Sequence, residues 1–151
     1  MDTLAALLEQ ALAQRNAALA AFNQARSRRD SAREQARDLA AYRDGYTQRW
    51  SQQFNTRAAA PDIMRCYRQF ADRLELAITQ QAHAVEVCEQ ALVRANDNLS
   101  AHELRAASVR KLIERRDAQT RRGAERREQI GNDELALRMR THRTTFEADK
   151  L

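Results

Sequence analysis

The sequence predicts an all-α protein: an antiparallel two-helix coiled-coil hairpin whose second helix is longer than the first. The 151 residues include 3 glycines and 1 proline, too few chain breakers for the many turns of a sheet protein. Charged residues make up 31% and aromatic residues 5%, and alanine, glutamine and arginine are abundant, as is typical of long helices. Heptad-spaced residues flank Pro61 on both sides, which indicates two packed helices.

The two heptad runs mirror each other and together predict the packed seam of the hairpin. The first run is Leu4, Leu8, Ala11, Arg15, Ala18, Phe22, Ala25, Arg29, Ala32, Ala36, Leu39, Arg43, Tyr46 and Trp50. The second is Tyr67, Phe70, Leu74, Ile78, Gln81, Val85, Cys88, Leu92, Ala95, Leu99, His102, Ala106, Val109 and Ile113. Antiparallel pairing of residues whose numbers sum to 117 sets large residues opposite small ones, as knobs-into-holes packing requires. Ala18 then lies opposite Leu99 and Phe22 opposite Ala95, while Trp50 pairs with Tyr67 next to the turn.

The elements follow from local signals along a single domain spanning residues 1–151. Helix 1 is predicted at about residues 3–56, capped by Asp2 or Thr3, and the turn at about 57–61. Pro61 suits the first turn of a helix and Asp62 complements its positive end, so helix 2 is predicted at about residues 62–130. Two glycines weaken the end of helix 2, so residues 131–151 are expected to form a short helix or to be disordered alone.

The seam of helix 1 is rich in alanine and is interrupted at even spacing by Arg15, Arg29 and Arg43. Alanine layers bury little apolar area, and each Å² removed from water contributes roughly 25 cal/mol. The sequence therefore predicts modest stability and dependence on partners.

Several classes of function lack their sequence signals. No apolar stretch approaches 18 residues, so no membrane span is expected, and the N-terminus does not look like a secretory signal, which favours the cytoplasm. There is no glycine-rich phosphate loop, and His83, His102 and His142 are dispersed. We therefore expect no enzyme activity, no cofactor, no metal and no small-molecule substrate.

The net charge is +5, and the second half of helix 2 contains paired basic residues. Basic doublets occupy positions 110–111, 115–116, 121–122 and 126–127. They could be a solvated helix surface or could attract an acidic partner.

Six of the eight aromatic residues lie close to the turn, at Tyr42, Tyr46, Trp50, Phe54, Tyr67 and Phe70. One interpretation is that they thicken the hairpin tip and fix the bend. The other is a contact surface, because a second stripe runs one step beside the seam and exposed apolar clusters mark protein contacts. We call this stripe the apolar edge; it consists of Gln35, Leu39, Tyr42, Tyr46, Phe70, Leu74, Ala77 and Gln81.

Around the apolar edge the chain resembles the FliJ family of the flagellar type III export apparatus. The resemblance rests on residues 39–46 (LAAYRDGY), 67–70 (YRQF) and 74–81 (LELAITQQ), and on the stretch 125–138 with its Asp-Glu-Leu-Ala run at 133–136. Length, basic character and turn position agree with that family.

The resemblance implies a coiled-coil stalk that inserts into the export ATPase ring and promotes its assembly. Implied partners are the export ATPase and its regulator, the cytoplasmic domain of the membrane export gate, and export chaperones, with membrane association only peripheral through them. The implied gate-binding residues are the eight of the apolar edge, although Gln81 stands where the family usually has histidine. The implied ATPase-ring contacts are Arg110, Lys111, Arg115, Arg116, Arg121 and Arg122.

Three alternatives stay open. One is the equivalent stalk of a virulence type III secretion system, and another is a generic dimeric coiled-coil scaffold. The third is a coiled coil that binds nucleic acid through its basic doublets, against which acidic residues are interspersed and no groove-reading motif is present.

Overall fold

The computed structural model describes residues 2–56 and 60–150 and consists of two helices. Helix α1 spans Thr3–Thr56 and helix α2 spans Pro61–Ala148, with 54 and 88 residues respectively. The predicted all-α hairpin with a longer second helix is confirmed.

Both helices begin where the sequence indicates. The Asp2 carboxylate accepts a hydrogen bond from the Leu4 backbone N–H (3.2 Å), so Asp2 is the N-cap of α1. The Ala60 carbonyl accepts the N–H groups of Ile63 and Met64, and Pro61 occupies the first position of α2, where its missing N–H costs nothing. The predicted turn at 57–61 is described only at its last two residues; positions 57–59 lie outside the described residues.

The buried residues coincide with the predicted seam. Among the residues whose side chains are described, seven have less than a tenth of their area exposed, and all belong to the seam; they are Ala11, Ala18, Ala32, Leu74, Leu99, Ala106 and Val109. The remaining seam positions are half-buried, except Phe70. Near residue 77 the seam changes phase by one step, and Ala77 and Ile78 are both half-buried, as a local stutter requires.

The chain divides into two compact units, one made of residues 1–11 with 105–151 and the other of residues 12–104. The larger unit contains most of α1 and the first half of α2, and its core includes Ala18, Ala32, Leu74 and Leu99. The smaller unit packs the first residues of α1 against α2 through Ala11, Ala106 and Val109. The prediction of a single domain across 1–151 stays a prediction.

The predicted end of helix 2 near residue 130 is wrong, since α2 continues to Ala148. A glycine costs about 1 kcal/mol in a helix interior, but strong helix formers resume at Glu134, Leu135 and Ala136, three residues after Gly131. A cooperative helix continues through one such interruption.

Candidate protein-binding surfaces

The six aromatic residues near the bend form one connected cluster in the larger unit. Tyr46 lies at its centre, with ring centroids 4.7 Å from Phe70, 5.4 Å from Tyr67 and 6.0 Å from Trp50. Trp50 and Tyr67, a predicted seam pair, have centroids 5.5 Å apart. Helical spacing of three or four residues stacks the rings along each helix, and antiparallel packing joins the two rows. Each ring pair adds about 0.5–1.5 kcal/mol beyond area burial, so the cluster fixes the two helices near the bend.

The cluster is both structural and exposed, because its members differ in burial. Tyr46, Trp50, Phe54 and Tyr67 are half-buried, as a packed bend requires. Tyr42 is 50% exposed and Phe70 39% exposed, and their centroids lie 6.4 Å apart. The two interpretations of the aromatic residues therefore apply to different rings: the first four support the bend, while the last two offer surface.

The eight predicted gate-binding residues do not all reach the surface. Gln35, Tyr42 and Phe70 are exposed, whereas Leu39, Tyr46, Ala77 and Gln81 are half-buried and Leu74 is buried. With 7% of its area exposed, Leu74 packs in the seam and supports the edge from beneath. The surface available to a partner is therefore narrower than the sequence stripe.

Gln81 is engaged across the seam. Its side-chain Nε2 donates to the backbone carbonyl of Ala32 (2.9 Å) and to the Gln35 side-chain oxygen (3.3 Å). A hydrogen bond between partly buried groups contributes about 1 kcal/mol and is costly to leave unmade. Gln81 thus holds the two helices in register at the end of the apolar edge, and it fixes the side chain of Gln35.

Ion pairs also join α1 to α2 in the larger unit. Arg33 donates to the Glu89 carboxylate at 2.6 Å, and Arg43 lies 3.5 Å from that of Glu75. Both pairs join α1 to α2 at exposed positions, where such pairs contribute at most about 1 kcal/mol. Arg43 also pairs with Asp44, and this hydrogen bond is the main cause that raises the pKa of its guanidinium.

Sequence reasoning missed part of the exposed apolar surface. Ile63 and Met64 at the start of α2 are exposed, as is Cys66. Ile63, Cys66, Tyr67 and Phe70 follow the three- and four-residue spacing of one helix face and line a groove with Tyr46 and Trp50. The spacing of these residues could have revealed the surface from sequence, because it begins before Tyr67, the first seam residue of α2.

The second candidate surface is the basic part of α2 in the smaller unit. Arg110, Lys111, Arg115, Arg121 and Arg122 are exposed. Arg116 differs, because its guanidinium donates to the Asp2 carboxylate at 2.6 Å and also contacts Asp117.

The Arg116–Asp2 pair ties the start of α1 to α2. The hydrogen bond from Arg116 is the largest cause that lowers the pKa of the Asp2 carboxyl, and the same bond raises that of Arg116. Of the six predicted ATPase contacts, Arg116 therefore has a structural role within its own unit.

Other kinds of site have no counterpart in the described part of the chain. No group of three or more His, Cys, Asp or Glu side chains there could hold a metal ion. No described helix is long and apolar enough to cross a membrane.

Two helices that pack along a seam of heptad-spaced residues define a coiled-coil protein. The family model of the flagellar FliJ protein matches residues 1–144. The chain therefore belongs to the FliJ family and is a protein of flagellar export. No curated protein and no solved structure matched the chain.

Proposed function

We propose that this protein links the export ATPase to the membrane export gate, binding the gate through the exposed part of the apolar edge and the ATPase through the basic part of α2. The observation that carries the proposal is the half-exposed ring pair Tyr42 and Phe70 beside a filled seam. Family membership supports the flagellar export system over its virulence counterpart.

The gate-binding part of the proposal rests on the physics of exposed aromatic rings. Aromatic residues dominate binding energy at protein interfaces when they enter a dry pocket of the partner. Tyr42 and Phe70 are held in place from beneath by Tyr46, so binding them costs little conformational entropy. A prearranged pair of this kind suits a shallow apolar pocket.

The ATPase-binding part rests on charge. Exposed arginines recognise carboxylates with two parallel hydrogen bonds and accelerate encounter with an acidic surface. In this proposal the protein promotes assembly of the ATPase ring, and it reaches the cytoplasmic side of the inner membrane through its partners. Escort of export chaperones belongs to the same proposal, as does contact with the ATPase regulator.

The gate contact is tested by comparing Tyr42→Ala with Leu76→Ala. Leu76 is exposed on α2 outside the apolar edge, so its replacement is a matched control for loss of an exposed side chain. We expect Tyr42→Ala to weaken binding to the purified cytoplasmic domain of the gate protein at least tenfold, measured by calorimetry. Helicity should stay unchanged in both variants because neither side chain is buried.

Equal affinities of the two variants for the gate domain would remove the gate from the proposal. Tyr46→Ala separates the two roles of the cluster further. Because Tyr46 contacts four other rings, its loss should lower the unfolding midpoint as well as gate affinity. Loss of helicity in Tyr42→Ala itself would show that this ring serves the fold.

The ATPase contact is tested by co-purification with the cognate export ATPase and by ATP turnover. Hexamer formation with stimulated turnover is the expected result. Absence of both with a folded, helical sample would refute the ATPase part of the proposal.

A further inference from the structure

The basic residues of α2 separate into faces that the sequence doublets do not reveal. Successive helix residues are rotated by about 100°. Lys111, Arg115, Arg122 and Arg126 are separated by four, seven and four positions, so they lie within about 60° of one another. We call these four residues the basic stripe; it extends about 22 Å along the helix.

The basic stripe points away from the seam of its unit. The seam residues Ala106 and Val109 are buried and Ile113 is half-buried, and these lie on the opposite side of α2. All four stripe residues are exposed, and none forms an ion pair within residues 2–56 and 60–150. The stripe has thus no role in holding the described fold together.

Other basic residues of the same segment are internally engaged or charge-compensated. Arg116 binds Asp2, and Arg127 donates to the Gly123 carbonyl. Arg110 and Arg121 share a face with four acidic residues, which are Glu114, Asp117, Glu125 and Glu128. The basic stripe contains no acid, so the positive potential concentrates there.

The width of the stripe selects the kind of partner. Residues 110–127 carry eight basic and three acidic side chains, a surplus of five. A duplex or an anionic bilayer is broad and would bring phosphates close to the acidic face as well, and like charges there cost binding energy. A narrow acidic ridge, such as one face of a helix, meets the stripe alone.

We propose that the basic stripe, formed by Lys111, Arg115, Arg122 and Arg126, is a docking surface for an acidic ridge of a partner protein. The inference deepens the proposed contact of the basic segment and rests on it for the identity of the partner. Of the six predicted ATPase-ring contacts it keeps Lys111, Arg115 and Arg122. It adds Arg126 and leaves out Arg110, Arg116 and Arg121. The spacing reads the same in both directions, so a partner helix fits in either orientation.

The test compares two full-length variants with the same loss of charge. The stripe variant carries Lys111→Gln, Arg115→Gln, Arg122→Gln and Arg126→Gln. The control variant carries Arg105→Gln, Arg110→Gln, Arg121→Gln and Arg127→Gln, which are exposed residues on the other faces. Glutamine is a good helix former, and circular dichroism checks that both variants stay helical.

Binding to poly-L-glutamate and to a 20-base-pair DNA duplex is measured at low ionic strength, where screening is weak. We expect the stripe variant to lose at least tenfold in affinity for poly-L-glutamate and the control variant to lose less than threefold. Equal losses would show attraction by net charge alone and would overturn the stripe. So would no binding by the wild-type protein.

Binding to the DNA duplex tests whether the stripe recognises nucleic acid instead of an acidic protein surface. Tighter wild-type binding to the duplex than to poly-L-glutamate, lost selectively in the stripe variant, would assign the stripe to nucleic acid and overturn the proposal. The same variants then enter the ATPase assay. The wild-type protein could bind poly-L-glutamate through the stripe and yet fail to bind the ATPase. That result would refute the proposed function and leave the acidic-ridge inference standing.

Discussion

Helix α2 contains a paired part and an unpaired part, and both are equally helical. Up to Ile113 every third or fourth residue packs in the seam, whereas the side chains from 124 to 150 are all exposed. In the unpaired part, Ile130, Leu137 and Phe146 expose more than half of their area. The difference teaches that helix formation and helix stabilisation have separate causes in this chain: propensity continues the helix, while packing stabilises only the paired part.

Pairing ends after Ile113 because Ile113 pairs with Leu4 and α1 begins at Thr3, and the following residues of α2 agree with this end. Continuing the seam spacing past Ile113 reaches Arg116, Thr120, Gly123 and Arg127, none of which can fill an apolar layer. The threonines of this region satisfy their hydroxyls within the helix; Thr120 donates to the Arg116 carbonyl at 2.9 Å. The unpaired part thus needs no second helix for these hydrogen bonds.

The largest expected loss of stability comes from placing a charge in the seam. Ala18 has 4% of its area exposed, so Ala18→Asp places a carboxylate in the seam without a partner. We expect a loss of about 3 kcal/mol in the free energy of unfolding, measured by urea denaturation followed by circular dichroism.

Ala17 supplies the matched control, since it neighbours Ala18 and is exposed. Ala17→Asp should change the unfolding free energy by less than about 0.5 kcal/mol. Similar effects of the two changes would mean that the alanine layers do not hold the helices together.

Replacing two glycines by alanine tests the difference between packed and unpacked helix, with a smaller expected change in stability. Gly45 lies in α1, between the seam residues Arg43 and Tyr46, whereas Gly131 lies in the unpaired part of α2. An added methyl group meets nothing within 4 Å at either position. Replacement by alanine improves helix propensity by about 1 kcal/mol. We expect Gly45→Ala to raise the global unfolding free energy by that amount, measured by urea denaturation.

Gly131→Ala should leave the global transition unchanged and slow amide hydrogen exchange only around residue 131. Local opening there costs little, because exposed segments unfold without disturbing the packed seam. A rise in the global midpoint with Gly131→Ala would show that the unpaired part unfolds together with the rest of the chain.

The seam could be predicted from sequence because its signal repeats over many heptads. Phe70 is its exception, and the reason lies in neighbouring rings. Tyr46 fills the layer and packs on Phe70 at 4.7 Å, which leaves Phe70 at the edge. Periodicity counts positions but does not include the volume of the side chain opposite, so it could not find this displacement.

The surfaces were less predictable, because spacing alone does not show which polar groups are engaged. Gln81 and Arg116 match the predicted surfaces by position, yet one bonds across the seam and the other binds Asp2. The end of α2 was misjudged for a related reason: the two glycines weaken the helix, but the summed propensity of their neighbours continues it.

The smallest effect concerns the pairing of Asp2 with Arg116, which marks the start of α1. Since the hydrogen bond from Arg116 lowers the pKa of Asp2 below its ordinary 3.8, the pair stabilises the fold above that pH and the effect is lost as pH falls through the lowered pKa. We expect Asp2→Asn to have a slightly lower melting temperature than wild type at pH 6, with the difference shrinking as the pH falls below 3.8. In an Arg116→Gln background the difference at pH 6 should be smaller, because the pair is already broken and only the helix cap remains. A difference that persists unchanged at pH 2 would show that the carboxylate charge contributes nothing and that side-chain shape at the N-cap decides.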